Sequence, residues 1–172
     1  VVDLGDGLYV TDDGVDVRKA AYECLNAVMS LSDAELDYAT ILQAIVYGLE
    51  VYYDVPNVSK KLENADDVQV LCLHILGNLD VAAHHKVLVD AMHVLADRWR
   101  AIVTKALPGK APTIQQIERH DDLVRTVLRV VIHMGKSPEL EKQGPFRTFL
   151  QQVVMSSEPL KVSYATLQAE GK

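Results

Sequence analysis

The chain has 172 residues, of which 49% are hydrophobic and 24% are charged, and its formal net charge is −7. This balance is typical of one folded domain and disfavours a disordered chain. The negative charge disfavours nucleic acid as the main partner, because nucleic-acid affinity rests on Lys and Arg, and no apolar run approaches the roughly 18 residues that a membrane span needs.

The first eleven residues, VVDLGDGLYVT, contain two short β-prone runs on either side of a Gly-Asp-Gly sequence. A three-residue loop with glycine between two such runs predicts a β-hairpin. Because a lone hairpin is marginal in water, it must lean on the helices or on a partner. We therefore predict that residues 1–14 are a β-hairpin and an entry segment. The lack of Met at position 1 suggests a piece of a longer protein.

Three stretches of thirteen residues, which begin at Asp16, Asp67 and Asp122, share one hydrophobic pattern. Positions +1, +4, +5, +8, +9 and +12 from each Asp form one stripe of an α-helix, apolar except at Thr126. The stripes are Val17, Ala20, Ala21, Cys24, Leu25 and Val28; Val68, Leu71, Cys72, Ile75, Leu76 and Leu79; and Leu123, Thr126, Val127, Val130, Val131 and Met134. We expect each Asp to cap its helix or to lie in the first turn.

A second amphipathic segment follows each stretch, at about residues 34–50, 83–107 and 144–156. Helix pairs that begin 51 and then 55 residues apart predict an all-α fold, a HEAT-repeat-like solenoid of about three pairs after the hairpin. We assign residues 15–172 to one helical domain. Its repeats are about 15–50, 65–107 and 114–156, with 157–172 as a C-terminal cover and 51–64 as an inserted loop.

The sequence contains no pattern typical of a catalytic, metal or cofactor site. His85, Asp90 and His93 are the nearest approach to a metal-ligand cluster, but their spacing does not converge on one helical face. Acidic pairs recur near helix starts, which favours capping over acid–base chemistry. These pairs are Asp12–Asp13, Asp66–Asp67 and Asp121–Asp122. We expect no enzymatic activity, catalytic residue, cofactor or metal.

The two cysteines, Cys24 and Cys72, lie among apolar residues at helical spacing. We expect both to be buried thiols in a reducing compartment, in the cytoplasm and nucleus. Tyr47, Tyr52 and Tyr53 cluster where the second helix meets the inserted loop. They either bind a partner or pack locally.

The segment from Thr11 to Met29 resembles the start of the C-terminal domain of the Cand family, the cullin-associated and neddylation-dissociated exchange factors. The family pattern is an acidic pair, Gly, an aliphatic residue, Asp, an aliphatic residue, Arg-Lys-Ala-Ala, an aromatic residue and Glu-Cys. Residues Asp12 to Cys24 match it one by one. A looser match, IERHDDLVR, covers Ile117 to Arg125.

This resemblance implies a non-catalytic domain of a substrate-adaptor exchange factor for cullin-RING ubiquitin ligases. Such a domain grips the N-terminal region of an unneddylated cullin and displaces the adaptor, and in that family a hairpin occupies the adaptor site. The implied partner-binding residues are Leu4, Gly5, Asp6, Gly7, Leu8, Tyr9 and Val10. We expect the isolated domain to be a monomer. The alternatives are a generic HEAT-repeat protein–protein scaffold and an enzyme with a helical fold.

Overall fold

A computed structural model describes residues 2–3, 8–9, 14–31, 36–50, 65–107 and 112–171. Within these ranges lie eight α-helices, one π-helical turn, Leu150–Val154, and two paired extended segments of two residues each, Val2–Asp3 and Leu8–Tyr9. The helices are α1 Val15–Met29, α2 Tyr38–Gly48, α3 Ala65–Asn78, α4 His85–Val103, α5 Ile114–Met134, α6 Pro138–Glu141, α7 Gly144–Phe149 and α8 Glu158–Glu170.

The helices form two packed layers. In the first layer α1 lies against α3, α3 against α5 and α5 against α8. In the second layer α2 lies against α4, and α4 lies against α6 and α7. Contacts of α2 with α3 and of α4 with α5 join the layers. This architecture is consistent with the predicted HEAT-like solenoid.

One continuous hydrophobic core runs between the layers from Leu42 to Val154. Trp99 is fully buried, and its ring meets Phe146 and Phe149 edge-on, with ring centroids 6.4 and 5.8 Å away. The predicted stripe of the third copy is buried throughout, and that of the second is buried except for the half-buried Leu71. The polar member of the stripes, Thr126, donates a 2.8 Å hydrogen bond to the carbonyl oxygen of Asp122.

The stripe predicted for the first copy is wrong at four of its six positions. Val17, Ala20, Ala21 and Cys24 are all exposed. Helix α1 packs on the core through the stripe residue Leu25 and through Tyr22 and Met29, all of which are half-buried. Cys24 is therefore an exposed thiol rather than a buried one, whereas Cys72 is buried as predicted.

The cap predicted at Asp122 is also wrong, because α5 begins eight residues earlier at Ile114. The true cap is Thr113, whose Oγ1 accepts a 3.2 Å hydrogen bond from the amide of Gln116. The Gln116 side chain accepts a 2.8 Å bond from the amide of Thr113, which completes a capping box. Asp16 and Asp67 lie in the first turns of α1 and α3, as predicted.

The predicted β-hairpin with its three-residue tip requires a correction. Such a loop would place Leu4 opposite Leu8, but the described backbone pairs Val2 with Tyr9 and Asp3 with Leu8, in two segments of two residues each. This register is one residue away from the predicted one. A ladder of this length has too few hydrogen bonds to hold an isolated two-stranded element. The part of the chain that the structure describes contains no β-hairpin of the predicted kind, and its fold class is all-helical.

The third pair of helices also differs from the expected form. The range predicted as one helix, 144–156, holds α7, which continues into the π-helical turn, and the short α6 precedes it. Helix α8 packs on α5 and on this turn. The predicted inserted loop, 51–64, lies outside the described residues.

Candidate interaction surfaces

The predicted partner-binding residues are hardly described by the structure. Leu4, Gly5, Asp6, Gly7 and Val10 lie outside the described residues, and for Leu8 and Tyr9 only the backbone is described. Their role in binding therefore stays a prediction. Within the predicted tyrosine cluster, Tyr47 is 62% exposed, while Tyr52 and Tyr53 lie outside the described ranges.

Three helices meet at a tight polar junction. The hydroxyl of Tyr22 on α1 donates a 2.7 Å hydrogen bond to the carbonyl oxygen of Ala44 on α2. A Cβ added to Gly48 of α2 would overlap both this hydroxyl and the Sγ of Cys72 on α3. Burial raises the pKa of the Cys72 thiol to about 12 and also raises the pKa of Tyr22. Cys72 is thus a neutral packing group rather than a nucleophile.

Three ion pairs connect neighbouring helices or the residues just after them. Lys19 of α1 contacts Asp67 of α3 at 3.1 Å, and Lys105, just after α4, contacts Asp66 of α3 at the same distance. Arg98 of α4 meets Glu50 at 3.4 Å. All six side chains are partly exposed, so these pairs align the helices more than they stabilise them.

A cleft of about 670 Å³ opens between the α3–α4 connection and the α5–α6 connection. Its charged or ionisable lining residues are Asp80, His85, His133, Lys136 and Glu139. The ring nitrogens of His85 and His133 bond to the carbonyl oxygens of Ala82 and Leu79 at 3.0 and 2.9 Å.

Glu139 is held in place at the rim of the cleft. A hydrogen bond from its own backbone amide lowers the pKa of its carboxyl group most. A 3.0 Å hydrogen bond from the hydroxyl of Ser137 lowers this pKa further. Asp80 accepts hydrogen bonds from the amides of Ala82 and Ala83. These groups support the backbone and do not form a nucleophile–base arrangement.

Two further histidines lie on or beside α4. His84 occupies the N-cap position of α4 without a side-chain capping bond and stacks on Tyr38 with ring centroids 3.6 Å apart, while His93 is exposed. In the described ranges, no group of three or more His, Cys, Asp or Glu side chains is arranged to hold a metal ion. No helix described here is both long and apolar enough to cross a lipid bilayer.

Comparison with known proteins places the chain in a family. Residues 1–154 match the family model described as TATA-binding protein interacting (TIP20). The chain is 24% identical over 169 residues to "Cullin-associated NEDD8-dissociated protein 1" of Dictyostelium discoideum and 27% identical to "Cullin-associated NEDD8-dissociated protein 2" of Rattus norvegicus. It is 28% identical to the Arabidopsis thaliana protein 1 of the same name.

Each of these alignments covers 98% of this chain but only 12% or 13% of the relative. The chain thus spans about an eighth of the length of the relatives that it matches. The similarity extends through nearly every described helix. It confirms the family resemblance that the residues from Asp12 to Cys24 predicted.

Proposed function

Because the chain belongs to the TATA-binding protein interacting (TIP20) family, we propose that it is a non-catalytic, cullin-associating domain of a regulator of cullin-RING ubiquitin ligases. The observation that carries this proposal is the similarity across 98% of the chain to proteins named for cullin association. The stacked helices support it, since such arrays present extended surfaces to large protein partners.

The finer proposal is that the domain contacts the N-terminal region of an unmodified cullin and competes with the substrate adaptor. The words "NEDD8-dissociated" in the names of the relatives support a preference for the unmodified form. The match of Asp12 to Cys24 to the Cand pattern supports the choice of adaptor exchange over a generic scaffold. Leu4 to Val10 are the proposed contact residues, and Tyr9 is of a type enriched in binding hot spots.

The direct test is equilibrium binding of the purified chain to three immobilised proteins. These are an unmodified cullin, the same cullin conjugated to NEDD8, and TATA-binding protein. We expect binding to the unmodified cullin and at least tenfold weaker binding to the conjugate, a difference of about 1.4 kcal/mol. Binding to TATA-binding protein alone would favour the interaction in the family's printed description. Binding to none of the three would contradict a cullin-associating role.

Adaptor competition needs a second measurement. A fluorescent adaptor bound to the unmodified cullin is titrated with the native-length protein, and its release is followed by anisotropy. A matched control carries Thr166→Lys on α8, where the Thr166 hydroxyl bonds only to Val162 of its own helix. We expect release by the wild type and by this control alike. Stable ternary complexes of cullin, adaptor and regulator would contradict the competition while leaving cullin association intact.

A further inference from the structure

Two histidines in the cleft between the α3–α4 and α5–α6 connections are held by opposite ring nitrogens. His85, the first residue of α4, bonds through Nδ1 to the carbonyl oxygen of Ala82 at 3.0 Å. His133, near the end of α5, bonds through Nε2 to the carbonyl oxygen of Leu79 at 2.9 Å. A carbonyl oxygen can only accept a hydrogen bond, so the bonded nitrogen carries the proton in each ring. In the neutral rings, Nε2 of His85 and Nδ1 of His133 are therefore acceptors.

Two exposed carboxylates, Asp80 and Glu139, line the same cleft. Oδ1 of Asp80 accepts hydrogen bonds from the amides of Ala82 and Ala83. Oε2 of Glu139 accepts one from the hydroxyl of Ser137 at 3.0 Å. A carboxylate has about four acceptor sites on its two oxygens. Both groups are thus oriented by the protein and keep further acceptor sites for a ligand.

These acceptors come from separate elements but lie near one another. The pKa of Glu139 is lowered mainly by the hydrogen bonds from its own amide and from Ser137. The nearby charges of His85 and Lys142 lower this pKa further, which places the ring of His85 close to the carboxylate. Among the described residues that line the cleft, Lys136 is the one lysine or arginine. Two carboxylates against one ammonium group make the lining negative when its histidines are neutral.

A lining of this kind favours a positively charged hydrogen-bond donor. A guanidinium group has five N–H donors in one plane and no acceptor, so it can bond to several acceptors that surround it. A metal ion fits less well, since in the described ranges no three His, Cys, Asp or Glu side chains are arranged to hold one. The cleft volume of about 670 Å³ exceeds that of one side chain and leaves room for the residues beside it. The net charge of −7 also favours a basic partner.

We propose that this cleft docks an arginine side chain carried by an extended segment of a protein partner. The guanidinium group pairs with the carboxylates of Asp80 and Glu139. It also donates hydrogen bonds to Nε2 of His85 and Nδ1 of His133, while its alkyl stem lies along Pro138. This inference goes beyond cullin association and does not depend on it.

The test titrates the 172-residue chain with three short capped peptides and follows binding by nuclear magnetic resonance. Glycines flank one central residue, which is arginine, lysine or citrulline, the uncharged analogue of arginine. Long-range proton–nitrogen spectra of the free protein should show His85 protonated at Nδ1 and His133 at Nε2. The arginine peptide should shift the two unprotonated ring nitrogens and the amides of Ala82 and Ala83 in a saturable way. We expect the lysine peptide to bind about threefold more weakly and the citrulline peptide about tenfold more weakly.

Conservative variants make the test specific to the cleft. Asp80→Asn and Glu139→Gln remove the charges but keep an acceptor oxygen for the bonds that now hold these side chains. Each should weaken binding of the arginine peptide about threefold. Lys136→Gln should strengthen binding, because it removes a like charge. The matched control, Glu158→Gln, removes an exposed carboxylate beside Lys161 on α8 and should leave the affinity unchanged.

Equal affinities for the arginine and citrulline peptides would overturn the proposal, as would an equal loss of affinity in Glu158→Gln. Saturable binding of inorganic phosphate near Lys136, or of Zn²⁺ at both histidines, with no response to the arginine peptide would also overturn it. The occupant would then be an anion or a metal ion. Because cullin is absent from every arm, none of these results would bear on cullin association.

Discussion

The hydroxyl of Tyr22 lies 2.7 Å from the carbonyl oxygen of Ala44 and ties α1 to α2. Removing it with Tyr22→Phe deletes one hydrogen bond and keeps the ring in place. We expect the free energy of unfolding to fall by about 1 kcal/mol, measured by urea denaturation followed by circular dichroism. The control is Tyr47→Phe, where the side chain is 62% exposed, and no measurable change is expected. An equal effect of both variants would show that the bond to Ala44 is not the cause.

Gly48→Ala should destabilise the protein although glycine is normally unfavourable in a helix. The added Cβ would overlap the Cys72 Sγ and the Tyr22 hydroxyl, and such overpacking costs about 1–3 kcal/mol. Gly77→Ala is the matched control, because its Cβ would meet Val130 at an ordinary 3.9 Å. There we expect no loss and a gain of up to about 1 kcal/mol. Adding Cys72→Ala to Gly48→Ala should recover part of the lost stability; stabilisation by Gly48→Ala alone would refute the tight junction.

His120 should make stability depend on pH. Burial lowers the pKa of its imidazole below the ordinary 6.5, with a further lowering by Lys105 that Asp121 and Asp66 oppose. The folded state therefore binds this proton less readily than the unfolded state. The contribution of His120 to the free energy of unfolding is complete above pH 6.5. It is lost as the pH falls from 6.5 through the pKa of His120 in the folded state.

Urea denaturation at a series of pH values would measure this effect. His120→Gln should flatten the decline below pH 6.5, because it removes the titrating group. His93→Gln is the control, since His93 is exposed, and it should keep the decline. A wild-type decline that survives in His120→Gln would assign the effect to another group.

Replacement of Leu8 and Tyr9 by Asp should weaken the proposed competition with the adaptor at least tenfold, about 1.4 kcal/mol. The reason is that charged side chains oppose the burial of apolar contact residues. The measurement is release of a fluorescent adaptor from an unmodified cullin by the native-length protein. Helix content and melting temperature should stay unchanged. Undiminished release by the doubly substituted protein would remove Leu8 and Tyr9 from the contact.

The sequence predicts the buried stripes of the second and third copies well, because other helices cover these stripes from several sides. Ile75 and Val130 are apolar in a helical pattern, and each lies in the core. The same pattern fails for Cys24, since burial depends on a neighbouring helix that no local pattern contains. A periodic stripe thus identifies a helix and its apolar side but does not show that the side is covered.

Errors at the helix ends have local causes. The sequence TIQQ at 113–116 is a capping-box signature, and its Thr and Gln could have located the start of α5 without the structure. The alignment of the three Asp residues instead favoured Asp122. Ser137 and Pro138 are typical of a helix start, but α6 contains only four residues, Pro138–Glu141, which are too few to show a helical hydrophobic period. The exposed cleft could not be predicted, since it arises between connections more than fifty residues apart.

Burial is unequal along the stack, so α1 should unfold locally more readily than α5. Among the described residues α1 has one buried side chain, Val15, whereas α5 has eight. Opening α1 alone exposes little apolar surface, so its amide hydrogens should exchange with solvent while the rest of the array stays closed. The amides of α5 can exchange only when the common core is lost. Protection from hydrogen exchange should therefore rise from α1 toward α5. A ligand that stabilises the packed position of α1 would slow exchange of the α1 amides before it changed the exchange rate of the α5 amides.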